Sequence, residues 1–428
     1  MKAKILPISL TVIVGAIGFM VGRNTTSDTD KNGEITSRDS SAMRSTSSGD
    51  LSSTSESRRS SSTARTGSDT ASSVDKSKTD PVARMRALSE INDPLERARL
   101  WLQLVDSLSP DQFQDFVAAF RADGIPSERM GDYSMLLSAW AKVNPQEALD
   151  YASKATSNPF ARQTILASWA SYDPESAISW AKSNHTGEGA NPWMVGVIKG
   201  LAYQDPDRAS SLLMEMPRSQ ERGEALDNLL PALLKRGIAE TRDWVDSITD
   251  PALKEGAISR VAESTAAKDP QGTADWLIAN PSEAANRRID DALYAMANKD
   301  QSAALDYFSK LPAGDARSNA LRGIINAVAS ENPQKASALM DAHSGDLTDR
   351  AVQQFVWYSF RQDPQTAVAN ISRMTNPEEQ ERMYTRTIEW WMERDQQAAL
   401  NWVNGNTLPP NVVDRLNRNL QREQERTN

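Results

Sequence analysis

Apolar residues recur in this chain at helical spacing, and the helices they predict recur as well. Leu321, Ile324, Ile325 and Val328 draw one apolar stripe of period 3.6, and Leu226, Leu229, Leu230 and Leu233 draw another. Each stripe ends four residues before a polar landmark. That landmark opens an eight-residue frame: Asp or Asn, Pro, two variable residues, Ala, two variable residues, Trp. The run Asp173-Pro174-Glu175-Ser176-Ala177-Ile178-Ser179-Trp180 carries it complete. The frame starts at Asn144, Asp173, Asp205, Gly237, Asp269, Asp300, Asn332, Asp363 and Asp395, at intervals of 29 to 32 residues. So regular a period marks a repeat array.

The frame predicts a helix start. An Asp or Asn side chain accepts from free backbone N–H groups of the first turn, and Pro suits the first helical position because the N–H it lacks has no partner there. Four residues on stand Ala148, Ala177, Ala209, Thr241, Thr273, Ala304, Ala336, Ala367 and Ala399. Seven on stand mostly Trp, Tyr or Leu, with Asn370 the exception. A small and a large residue three apart share a helical face. Five residues before the landmark most units carry Gly, Ala or Ser, where a neighbouring helix approaches closely; the last two carry Tyr358 and Trp390. Each unit is therefore a helical hairpin that needs its neighbours to bury its stripe. The expected fold is all-α: an α-solenoid of about nine 32-residue hairpins over residues 144–403, of the order of 90 Å long at roughly 10 Å per packed helix.

The flanks differ. Residues 81–143 predict an N-terminal helical cap, with Ser109-Pro110-Asp111-Gln112 as a capping box and Gly124 as a helix stop. Residues 404–428 predict a C-terminal cap helix, apolar at Val412, Val413, Leu416 and Leu420. Residues 24–80 form a tether in which 28 of 57 residues are Ser or Thr, too polar to offset the entropy of ordering. It reads as a spacer, or as a glycosylated or wall-crossing stalk. In residues 1–23, Lys2 and Lys4 precede an uncharged apolar run, residues 5–22, about 27 Å long as a helix. This predicts a signal anchor, the N-terminus inside and the array in the periplasm; a cleaved signal peptide ending near Ala16-Ile17-Gly18, with secretion to the periplasm, is the alternative.

Composition narrows the chemistry. There is no cysteine, which excludes disulfides, thiolate catalysis and Cys-based zinc sites. The two histidines, His185 and His343, fall in predicted turns without a His or Cys partner, so no metal site is expected. No glycine-rich phosphate loop, dinucleotide fingerprint or nucleophile elbow occurs, and no cofactor is expected. The net charge of −9 becomes −11 over residues 81–428, which argues against nucleic acid and for a neutral, basic or mixed partner. Seven of eleven tryptophans occupy recurrent core positions. Trp357 does not: six before its landmark, it lies opposite the apolar stripe. With Tyr358, Arg361 and Trp390 it defines a candidate binding patch of aromatic and basic residues. Repacking of the end repeats against the C-terminal cap is the competing reading.

The hairpin period resembles tetratricopeptide-type solenoids, although the unit has 32 residues rather than 34 and lacks their Trp-Leu-Gly-Tyr signature. A second resemblance, over residues 93–403, is to uncharacterised bacterial membrane-anchored repeat proteins of verrucomicrobial type. They share repeats of the form Trp-Ala-x-x-Asp-Pro-x-x-Ala-x-x-Trp, which Trp169 through Trp180 match in full. The resemblance implies a helical fold and an envelope location, and no activity. The expected function is a membrane-tethered, non-catalytic scaffold for a protein or peptide. A self-assembling envelope spacer and a polysaccharide-cleaving enzyme on a helical superhelix are the alternatives.

Overall fold

The computed structural model describes residues 80–427, with side chains as far as residue 421. The expected anchor and nearly all of the tether lie outside the described residues. Among the described residues no helix is long and apolar enough to cross a membrane. They are 80% helical, with 22 α-helices and no strand.

The N-terminal cap comprises α1 (Pro81–Leu88), α2 (Pro94–Asp106) and α3 (Phe113–Ala122). Its helix ends follow the sequence. The Ser109 N–H donates to Gln112 Oε1 at 2.9 Å, and Gly124 ends α3 in the left-handed region at φ 77°. Trp101, Phe116 and Phe120 pack as an aromatic core beneath it.

From there the chain alternates between two layers. The even helices are α4 (Met130–Val143), α6 (Phe160–Tyr172), α8 (Trp193–Leu201), α10 (Gln220–Arg236), α12 (Pro251–Thr265), α14 (Glu283–Lys299), α16 (Asp315–Glu331), α18 (Asp349–Ser359), α20 (Pro377–Arg394) and α22 (Pro410–Thr427). The odd helices are α5 (Pro145–Ala155), α7 (Pro174–Ser183), α9 (Pro206–Glu215), α11 (Ile238–Ser247), α13 (Pro270–Ala279), α15 (Gln301–Ser309), α17 (Pro333–Ala342), α19 (Pro364–Ala369) and α21 (Gln396–Gly405).

Each landmark residue is the N-cap of its odd helix. Asp173 accepts from the Ser176 N–H at 3.2 Å, Asp205 from Arg208 at 3.0 Å and Asn332 from Lys335 at 2.8 Å. In six hairpins the same residue also ends the even helix, so one residue turns the chain. The recurrent Ala or Thr of the odd helices is fully buried in every copy. Where the large residue is replaced, Asn370 is buried instead. It donates to the Thr366 carbonyl and accepts from Ser337 and Arg373, where α19 gives way to a 3-10 turn.

The even layer is the tighter one. Most even helices pack closely on their even neighbours, while odd helices mainly contact even ones. A side chain at Gly196 would press on the Leu166 Cβ at 2.7 Å, and one at Gly200 or Gly323 would collide with the preceding even helix. At α8 the flanking helices close over the recessed one: Gln163 on α6 donates to Glu224 on α10 at 2.9 Å. Helices two apart in a flat layer would have axes about 16–20 Å apart, so this face is concave there. One apolar core runs through the stack from Met85 to Leu416. The C-terminal helix α22 behaves as a further even helix. It buries Val412 and Leu416 and sets Asn411 against Glu381 at 3.1 Å.

Candidate functional site

The free face of the even layer carries residues six, nine and ten before each landmark, joined on α14 by Arg288, twelve before Asp300. These positions point away from the apolar stripe, and successive helices bring them side by side. A ladder of polar contacts results: Arg260 on Asp227, Arg288 on Glu263 at 2.9 Å and on Asp291 at 3.2 Å, Arg322 on Asp290 at 2.6 Å, and Asn326 on Gln354 at 2.7 Å.

The helix α16 lies deepest in this ladder because Gly323 lets its backbone meet α14. Arg322 and Asn326 are only 4% and 6% exposed, and Asn326 Oδ1 has no hydrogen-bond partner. Arg322 and Asn326 meet Asp290 from α14 and Gln354 from α18, and Tyr358 of α18 lies within electrostatic reach of Tyr294, Asp290 and Asp291 of α14. Burial pushes the Asp291 carboxyl up, and the neighbouring Asp290 charge adds to this against the opposing Arg288. Tyr358 is pushed up by burial and by Tyr294, Asp290 and Asp291, which lie within its electrostatic reach across α16. The carboxylates of this cluster already face guanidinium groups. Among the described residues no group of His, Asp and Glu has the geometry of a metal site. The His343 and Phe308 rings meet near perpendicular with centres 5.1 Å apart, and His185 Nε2 lies 3.1 Å from the Gly189 carbonyl oxygen.

The face changes character at α18 and α20. The slot five before the landmark, filled elsewhere by small residues, holds Tyr358 and Trp390. These two helices accordingly meet through side chains rather than by an extended backbone approach. Trp357, 65% exposed, lies edge-on to Trp390 with ring centres 6.2 Å apart and planes at 69°. Trp390 is half-buried, backed by Phe360 at 6.1 Å and covered by the Arg386 guanidinium at 5.2 Å. Tyr358, 42% exposed, faces the α14 side.

Of the four residues singled out from sequence, Trp357 and Trp390 are thus in contact and Tyr358 extends the patch along α18. Arg361 is exposed, and among the described residues no cation–π contact involves it; Arg386 and Arg394 supply the charge over Trp390 and Phe360. Trp390 is the packed half of the pair, against Phe360 and Arg386 rather than the C-terminal cap, and Trp357 is the free half. Sequence reasoning passed over Arg386 and Tyr294. Tyr294 stands at the register of Trp357, six before its landmark, and Arg386 nine before its own, so the repeat numbering carried a signal for both. No protein-family model, no curated protein and no solved structure matches this chain.

Proposed function

We propose that this protein is a non-catalytic α-solenoid scaffold that binds a protein or peptide on its even-layer face, at Trp357 and Trp390. Residues 1–23 anchor it in the cytoplasmic membrane and the Ser/Thr-rich tether carries the array on the outer side. The observation that carries the reading is Trp357, two-thirds exposed yet braced against a second tryptophan and an arginine. Rigid, partly desolvated aromatics beside arginine are what interaction hot spots are made of. A polysaccharide-cleaving role needs an open group of shifted acids, whereas Asp290 and Asp291 are paired with Arg322 and Arg288.

The test is site-specific photo-crosslinking of the full chain in cells that produce it. A photoreactive residue at position 357 is expected to trap one defined protein, and the same group at Ile278, exposed on the odd helix α13, is expected to trap none. Equal trapping at both positions, or none at 357, would remove the surface from the argument.

A further inference from the structure

The face bearing Trp357 and Trp390 continues past α20 into a cleft of about 380 Å³ against α22. Arg382 and Arg386, one turn apart on α20, and Arg415 and Arg418 on α22 line it together with Glu389 and Asn419. Asn419 donates to Glu389, fixing the two helices beside the cleft. Arg382 pairs with Glu379 on its own helix at 2.5 Å. Among the described residues Arg386, Arg415 and Arg418 form no ion pair; the Arg386 guanidinium covers Trp390 instead. Three guanidinium groups without an ion pair, beside a fourth paired with Glu379, stand out in a region, residues 81–428, whose net charge is −11. Such a cluster repels itself and focuses a positive potential into the cleft.

We infer that this cleft takes an acidic peptide segment whose run of carboxylates adjoins an apolar or aromatic residue. Planar guanidinium forks match carboxylates in pairwise hydrogen bonds, and the exposed Trp357 edge offers the adjoining side chain a packing surface. A long polyanion fits less well. Further along the same face Arg260, Arg288 and Arg322 are paired with Asp227, Glu263, Asp290 and Asp291, whereas a nucleic-acid backbone requires an extended track of free basic groups. This assignment rests on the binding role proposed above and names the chemistry of its partner.

The test titrates the full chain into a fluorescein-labelled peptide in which a run of glutamates adjoins a phenylalanine, with anisotropy as the readout. Glutamine and lysine versions of the peptide serve as controls and inorganic tripolyphosphate as competitor. The glutamate peptide is expected to bind about tenfold or more tighter than the glutamine version, the scale of one charge-assisted contact, and more weakly as salt rises. Arg386→Glu and Arg418→Glu are each expected to lose about tenfold, and the double reversal to accept the lysine version, with unchanged far-UV circular dichroism. Equal binding of the glutamate and glutamine peptides, or indifference to both reversals, overturns the assignment. Full displacement by tripolyphosphate, with no loss when phenylalanine is removed, would reassign the cleft to a phosphate anion. If peptide binding fails while position 357 still crosslinks to a partner, the interaction surface stands and only its acidic partner falls; loss of both removes both.

Discussion

At Gly323 the backbone of α16 meets the carbonyl of Asp290 on α14 with no room for a β-carbon. A Gly323→Ala substitution there sets two opposing effects against each other. Alanine gains up to about 1 kcal/mol as a helix former, but forcing a methyl against main chain costs about 1–3 kcal/mol. The steric term wins, and urea unfolding is expected to show a net loss. Gly131, in the first turn of α4 with nothing near its missing β-carbon, is the control, and Gly131→Ala is expected to be neutral or slightly stabilising. Asp349 gives a residue-scale prediction of another kind. Burial pushes its carboxyl up, but hydrogen bonds from the Thr375 N–H at 2.7 Å, the Thr375 hydroxyl at 3.0 Å and the Asn376 N–H at 2.9 Å outweigh it and hold the group below its ordinary value. A folded-state value below the unfolded one, about 3.9, stabilises fully above that pH and is lost as pH falls through the folded value. Thermal melts from neutral pH into acid should therefore show Asp349→Asn less stable at neutrality, the difference closing below about pH 4; parallel curves would refute the linkage.

At the scale of the helix, the landmark residues do two jobs at once. Asp173 ends α6 and caps α7, so the hairpin has no loop to fray. An Asp173→Ala change is expected to cost about 1 kcal/mol in denaturant unfolding without altering helix content; no loss would mean the cap is dispensable. These features were readable from sequence because capping, Pro at the first turn and the buried Ala are local and recur with the period. The spacing between even helices was less so. It depends on which side chain stands five or nine positions before each landmark: Gly196, Gly200 and Gly323 draw helices together, while Tyr358 and Trp390 keep α18 and α20 apart. The small slots five positions before each landmark were foreseen, but the role of those nine before was not. For the same reason the patch was legible only in its aromatic half. Arg386 and Arg418 lie 32 residues apart and share a cleft only because α22 docks on α20 as one more even helix. The Gln163–Glu224 contact across a whole unit had no sequence signal.

For the whole molecule, net charge and local charge point in different directions. A balance of −11 over residues 81–428 points to neutral, basic or mixed partners, while the C-terminal end of the even face gathers arginines. Partner choice follows the local field within about a Debye length, near 10 Å at ordinary salt, and not the sum over the array. The same separation of local from global governs location. Among the described residues no helix is long and apolar enough to cross a membrane, and the apolar run of residues 5–22 is the segment that the proposed anchoring uses. Flanked by Lys2, Lys4 and Arg23, that run is expected, as a helix, to reach about 27 Å, enough for one span. Deleting residues 2–23 is therefore expected to move the protein from the carbonate-resistant membrane fraction to the soluble fraction of producing cells, with its helical circular dichroism retained. If the intact chain were already soluble and began downstream of Gly18, the segment would be a cleaved signal, and the scaffold would meet its partner without a membrane anchor.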